Sequence, residues 1–135
     1  MYLLDTNVLS ELRKSKPHGA VIAWIRGVDD RHLHISAVSL GEIQVGIEIT
    51  RGQDAERAAE IEAWADHIAD TWSVLPLDGA AFRLWGRLMH GKSDELIADA
   101  MIAATAKLHG LSVVTRNVKD FKEFGVELIN PFMAR

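Results

Sequence analysis

Cysteine is absent from this chain, which excludes disulfides and thiolate metal centres and fits a reducing compartment. No apolar run approaches the roughly 20 residues that a membrane span needs. The first residues, Met1-Tyr2-Leu3-Leu4-Asp5, lack the basic region and long apolar stretch of a secretory leader. These absences predict a cytoplasmic protein with no membrane partner. An excess of basic charge is missing too: the formal net charge is −4, whereas nucleic-acid binders are usually basic. That objection weakens if some of the acids hold divalent cations, each adding two positive charges locally. Neither a G-x-x-x-x-G-K nor a G-x-G-x-x-G phosphate loop occurs, and there is no G-x-S-x-G nucleophile elbow.

What is present suits one globular domain over residues 1–135, with 48% hydrophobic and 25% charged residues and enough length for a core without staples. Residues 2–4 read as a short buried strand that ends at Asp5. Helical spacing follows over Asn7–Lys14, from Pro17 to Gly27, over Val38–Thr50 and over Asp54–Trp72. A strand-like segment at His32–Ser36 precedes the third of these helices, and a brief one at Ser73–Leu77 follows the fourth. Asp78 is placed to cap a helix reaching about His90, and another helix ends at His109-Gly110. Strand Leu111–Thr115, a helical turn around Asp120–Phe124 and strand Val126–Ile129 complete the order. Strands alternating with helices predict a three-layer α/β/α fold, a mostly parallel sheet with helices on both faces. Such sheets bind ligands beyond the carboxyl ends of their strands, where Asp5 and Thr115–Asn117 lie.

Four positions stand out. Asp5 closes the first strand; it suits a helix cap, yet Thr6 and Asn7 would cap equally well. Glu42 has Val38, Val45 and Ile49 at i−4, i+3 and i+7, and Leu40, Ile43 and Ile47 form a second apolar line. Little of this helix is therefore expected to face water. Asp99 is flanked by Leu96, Ile102, Ala103 and Ala106, although an acid in a first helical turn also complements the helix dipole. Alanines 98, 100, 103, 104 and 106 should let that helix approach the sheet closely. In Val113-Val114-Thr115-Arg116-Asn117-Val118-Lys119-Asp120-Phe121, oxygen-bearing side chains follow a strand directly. Thr115 can hydrogen-bond a neighbouring carboxylate, and Asn117 or Asp120 can supply a fourth oxygen. Hard oxygen donors without cysteine or paired histidines favour Mg²⁺ or Mn²⁺.

In order and spacing these segments resemble a known family over nearly the whole chain. Leu3-Leu4-Asp5-Thr6-Asn7-Val8-Leu9-Ser10 resembles the opening of PIN-domain proteins. Val38-Ser39-Leu40-Gly41-Glu42-Ile43 resembles their second motif, and Ile97-Ala98-Asp99-Ala100-Met101-Ile102-Ala103-Ala104-Thr105-Ala106 their third. Val113–Phe121 resembles the fourth, and Leu128-Ile129-Asn130-Pro131-Phe132 a frequent ending. The similarity is to PIN toxins of the VapC/FitB type. It implies a Mg²⁺- or Mn²⁺-dependent endoribonuclease, the toxin half of a type II toxin–antitoxin pair, cutting RNA with a metal-activated water.

Carried over residue by residue, the resemblance implies Asp5, Glu42 and Asp99 as the acidic triad, both catalytic and metal-holding. Many PIN domains have Asp where this chain has Asn117, so the fourth position is open between Asn117 as a ligand and Asp120 as a catalytic acid. Thr6 and Thr115 match supporting hydroxyls, and Arg116 and Lys119 are candidate RNA contacts. Also implied are an antitoxin of the VapB/FitA type, a homodimer, and a heterotetramer or larger assembly with that antitoxin. Val45, Ile49, Ile61, Trp64 and Ile68 are candidates for association surfaces. A second reading is a catalytically weak PIN domain serving as an antitoxin-bound regulatory module.

Overall fold

The three-residue strand β1 (Tyr2–Leu4) is the centre of the molecule, and its side chains divide between two cores. In the computed structural model, which describes residues 1–133, Leu4 packs with Val8, Leu9, Val21 and Ile35. Leu3 packs on the other face with Ala100, Ile102, Ala103 and Val113. Successive strand residues point to opposite faces, so both leucines are fully buried, each contributing about 2 kcal/mol.

The remaining elements follow in the expected order. Helix α1 (Thr6–Arg13) and α2 (Gly19–Arg26) precede β2 (Leu33–Ser36). The long pair α3 (Ala37–Arg51) and α4 (Ala55–Thr71) leads to β3 (Ser73–Leu75). Then come α5 (Gly79–Leu88), α6 (Ile97–His109), β4 (Ser112–Val114), the short α7 (Val118–Phe121) and β5 (Leu128–Ile129). The five strands pair in the order β3-β2-β1-β4-β5, all in parallel. The expected three-layer α/β/α architecture is observed. Element ends shift by a few residues. The second helix starts not at Pro17 but after His18, whose ring Nδ1 accepts from the Ala20 amide.

This strand order reverses direction next to β1. From β1 the chain runs outward through β2 and β3, then crosses back so that β4 pairs with the other side of β1. A crevice opens beyond the carboxyl ends of the strands where such connections diverge. Asp5 follows β1 there and Thr115 follows β4.

Helix α6 lies against the β1–β4 region through small side chains. Ala100, Ala103, Ala104 and Ala106 are all completely buried, as the alanine pattern predicted. The helix stops at Gly110, whose φ of 64° is a left-handed conformation that costs other residues about 1–2 kcal/mol. For α3 the expectation needs correction. Ile43 and Ile47 are buried, but Val45 and Ile49 are 62% and 63% exposed. The Glu42 side of this helix therefore faces water, because the core contacts of α3 run along Leu40, Ile43 and Ile47.

If close approach of α6 sets the crevice, a larger side chain in its contact face should disturb the whole domain. Ala103→Leu is expected to destabilise by about 1–3 kcal/mol through overpacking, measured by urea unfolding. An unchanged midpoint would show that the helix has room to spare.

Candidate active site

Asp5 is only 3% exposed, and its carboxylate is satisfied by donors from both sides of the crevice. Its Oδ1 accepts from the Thr6 amide at 2.8 Å. Its Oδ2 accepts from Thr115 Oγ1 at 2.8 Å and from Asn7 Nδ2 at 3.2 Å. Thr115 Oγ1 in turn accepts from the Asn117 amide at 2.9 Å. Asn7 uses the other end of its amide, Oδ1, to accept from the Arg116 backbone N–H at 3.3 Å. Asp5 is thus both helix cap and buried acid. Burial, the largest influence, raises its pKa; the Thr115 and Thr6 bonds oppose this and the charge of Glu42 adds to it.

Glu42 projects from α3 toward the same place, held by a short relay. Thr6 Oγ1 lies 2.8 Å from Glu42 Oε1 and 2.8 Å from Ser39 Oγ. A hydroxyl has one proton and a carboxylate only accepts. Thr6 therefore donates to Glu42 and accepts from Ser39, which is fully buried one turn earlier on α3.

Asp99 sits in the first turn of α6, half-buried. Its carboxyl is pushed up to about 6, chiefly by burial and then by the negative charges of Asp5, Asp120 and Glu42. Crowded carboxylates of this kind favour a proton or a cation between them. Asp5, Glu42 and Asp99 line one open cleft of about 460 Å³ with Thr6, Asn7, Ser10, Glu11, Lys14, Arg116, Asn117 and Phe132. Among the described residues, no three His, Asp or Glu side chains already stand close enough to share an ion. The donor set itself, hard oxygens with unbalanced negative charge, fits a divalent cation of the Mg²⁺ or Mn²⁺ type.

The PIN domain family profile matches residues 2–127. The chain belongs to the PIN domain family. VapC ribonuclease Y4jK of Sinorhizobium fredii is 35% identical over 137 residues, covering 98% of both chains. Toxin FitB of Neisseria gonorrhoeae is 30% identical over 139 residues, covering 98% of this chain and 99% of the toxin. The crystal structure of FitAcB from Neisseria gonorrhoeae superposes with a TM-score of 0.88 at 29% identity, covering 99% of this chain and 100% of that one.

Of the predicted site residues in this PIN domain, Asp5, Glu42, Asp99, Thr6, Asn117 and Arg116 line the cleft, and Thr115 is the buried support of Asp5. Asn117 reaches the cleft, whereas Asp120 does not line it although its charge is felt at Asp99. Lys119 is exposed and lies outside the cleft lining; Lys14 takes a place there instead. Three further residues carry roles that the sequence reading did not assign. Asn7 ties Asp5 to the loop after β4, and Ser39 backs Thr6. Glu11, 7% exposed, accepts from Lys14 Nζ at 2.9 Å and from the His18 amide at 3.0 Å, tying down the segment after α1. Those bonds, with the charges of Lys14 and Arg116, hold the Glu11 carboxyl below its ordinary range.

The raised Asp99 carboxyl makes stability depend on pH. The folded form binds its proton near pH 6, the unfolded form near its ordinary 3.8. Without divalent cations, ionised Asp99 therefore costs nothing below about pH 4, progressively more as pH rises to about 6, and its full amount above. Asp99→Asn should stabilise the domain by about 1–2 kcal/mol at pH 7, after allowing for partial exposure, and leave it nearly unchanged at pH 4. Urea unfolding in a chelator at both pH values tests this; equal stability of variant and wild type at pH 7 would refute it.

Proposed function

We propose that this PIN domain is a metal-dependent endoribonuclease, the toxin of a type II toxin–antitoxin pair, which hydrolyses RNA phosphodiester bonds. The observation that carries the reading is the convergence of Asp5, Glu42 and Asp99, from three separate segments, on one open cleft. Burial, and after it the charges of Asp5, Asp120 and Glu42, raises the Asp99 carboxyl. Support comes from relatives named as a VapC ribonuclease and a FitB toxin, aligned over nearly the whole chain.

Asp5, Glu42 and Asp99 would hold Mg²⁺ or Mn²⁺, with Asn117 as the candidate fourth oxygen. Such an ion, when bound, polarises phosphate oxygens and lowers the pKa of water. The residues of the chain do the rest. Asp5 is immobilised by three donors and presents a fixed negative charge beside the substrate path. Glu42 keeps one oxygen on Thr6, which limits its swing from α3. Asp99 exchanges its proton near pH 6, so that cation and proton compete for it and cation binding strengthens as pH rises. Lys14 and Arg116 add positive charge to the same cleft for phosphate approach.

A partner surface adjoins the acids. Thr6, Arg13, Glu42, Gly46, Ile47, Ile61 and Trp64 line a second groove of about 210 Å³ between α1, α3 and α4. Here an apolar segment of a VapB/FitA-type antitoxin would lie, bringing a basic side chain toward Glu42. The neighbouring solved structure of FitAB bound to an IR36 DNA fragment, TM-score 0.86 at 29% identity, supports a toxin–antitoxin assembly. Ile61 and Trp64 thus belong to the proposed antitoxin groove, while Ile68 is core. The exposed pair Val45 and Ile49 is the candidate contact for a second copy of the chain.

Labelled RNA and DNA of equal sequence, incubated with the purified protein, test the activity. RNA should be cut only with Mg²⁺ or Mn²⁺ present, and Asp5→Asn or Asp99→Asn should lose more than about 100-fold, since even outer partners of metal ligands contribute 10–100-fold. Full activity in purified Asp99→Asn protein would overturn the reading. No Mn²⁺ binding by calorimetry, with that variant indistinguishable from wild type, would favour the regulatory module instead. Thr6→Val, which deletes the relay to Glu42 but keeps the side-chain shape, is expected to lower the cleavage rate about 10-fold or more, with a modest fall in melting temperature from the acceptor that buried Ser39 loses. A rate equal to wild type would show that Glu42 needs no positioning.

A further inference from the structure

One wall of the acidic cleft is built from a cation lying on an aromatic ring. The Arg116 guanidinium carbon sits 4.5 Å from the centroid of Phe132, and both residues line the cleft. The His18 ring meets Phe132 edge-on, with centroids 5.4 Å apart. The Phe132 amide donates to Asn130 Oδ1 at 3.0 Å, and its ring packs partly into the core. Phe132 is therefore fixed from behind, while Arg116, exposed at the surface, covers its open side.

This wall is also registered to the acids. The Arg116 backbone N–H donates to Asn7 Oδ1, and Asn7 Nδ2 donates to Asp5 Oδ2. Two hydrogen bonds through one side chain thus set the distance from Asp5 to the Arg116 backbone, from which the guanidinium reaches the Phe132 ring. The charge of Arg116 is partly answered by the buried Glu11, whose carboxyl it helps to hold ionised, and Lys14 is bonded to the same carboxylate. What the arrangement leaves available is a flat, well-supported, weakly hydrated surface, and guanidinium planes are surfaces on which unpaired bases stack.

We propose that the Arg116–Phe132 pair is a nucleobase platform, on which one unpaired base next to the scissile phosphate stacks. The proposal rests on RNA being the substrate. It makes the cleft select single-stranded segments, since a base held in a duplex cannot leave its neighbours to lie on the wall. It also supplies affinity that does not depend on net charge, in a protein whose formal charge is −4.

The test reads binding by fluorescence anisotropy, with a short labelled single-stranded RNA, Mg²⁺ present, and the Asp99→Asn protein to prevent cleavage. A set of oligonucleotides carries one abasic nucleotide at each position in turn. One position is expected to weaken binding about 10-fold, the range of a single base–side-chain stack. Arg116→Lys keeps the charge and removes the plane, so it should weaken binding of the complete RNA by a similar factor with unchanged salt dependence. It should have no further effect on the RNA that is abasic at that position. Arg116→Lys binding like the parent, or weakening every abasic RNA equally, would overturn the platform; so would a lowered melting temperature with RNA affinity unchanged, the result for a mere staple of the C-terminal segment. Phe132→Leu repeats the comparison from the supporting side. If the wild-type protein neither binds nor cuts any RNA, the proposed function itself fails, a result distinct from intact cleavage without a base-dependent effect of Arg116.

Discussion

A carboxylate removed from water at the end of β1 is the constraint around which this domain is arranged. Burying an ion costs several kcal/mol unless its oxygens find donors. Asp5 finds them in Thr6, Asn7 and Thr115, the last of which is 110 positions away in sequence. The first two are local, but the Thr115 bond forms only if β1 and β4 pair in register and both connections leave the sheet on their proper sides. The paired backbone shows the same dependence, since the Asp5 amide donates to the Val114 carbonyl. Leu3 and Leu4, committed to opposite cores, forbid a one-residue slip that would exchange the faces. The accuracy of the acid is inherited from packing on both sides of the strand.

From Asp5 the three acids form a gradient of exposure and freedom. Asp5 is buried and rigid. Asp99 is half-buried on a helix whose small side chains bring it close to the sheet, which is why water cannot fully relieve its charge. Glu42 stands in solvent on a longer stem, restrained at one oxygen by Thr6 and, through it, Ser39. The cleft thus pairs one fixed acid with one that can move without rebuilding the core. Asp5 and Glu42 are held by neutral donors rather than by competing cations, so their negative charge is left facing the cleft.

Much of this architecture was legible in the sequence because short apolar strands and 3.6-residue stripes report directly on burial. The alternation of strands and helices led to the parallel sheet, and a strand-ending acid pointed to the crevice. The alanines of α6 indicated close packing, and Thr115 was legible as a carboxylate partner because it follows a strand. What failed had a physical reason. A helical stripe shows that Val45 and Ile49 share a face with Glu42, but not whether anything in the chain covers that face. Asn117 and Asp120 lie three residues apart, and only their placement shows that the first enters the cleft while the second acts on Asp99 by charge. Ser39, Glu11 and Asn7 stayed silent because their roles are set by partners that are distant or ordinary in type. Asn7 meets Thr115 across 108 positions, and Glu11 resembles any surface glutamate until the His18 amide folds onto it.

Asn7 deserves its place between two loops for a reason of atom type. It gives a hydrogen to Asp5 with one end of its amide and takes one from the Arg116 backbone with the other. Aspartate has the same shape but offers only acceptors. Exchange of a single nitrogen for oxygen, the change that hydrolysis of the amide produces, would turn a donor into a second anion against a carboxylate already short of solvent. The junction is therefore discriminating at the level of one atom, and chemical ageing at that amide would reach the acid and the adjoining loop together.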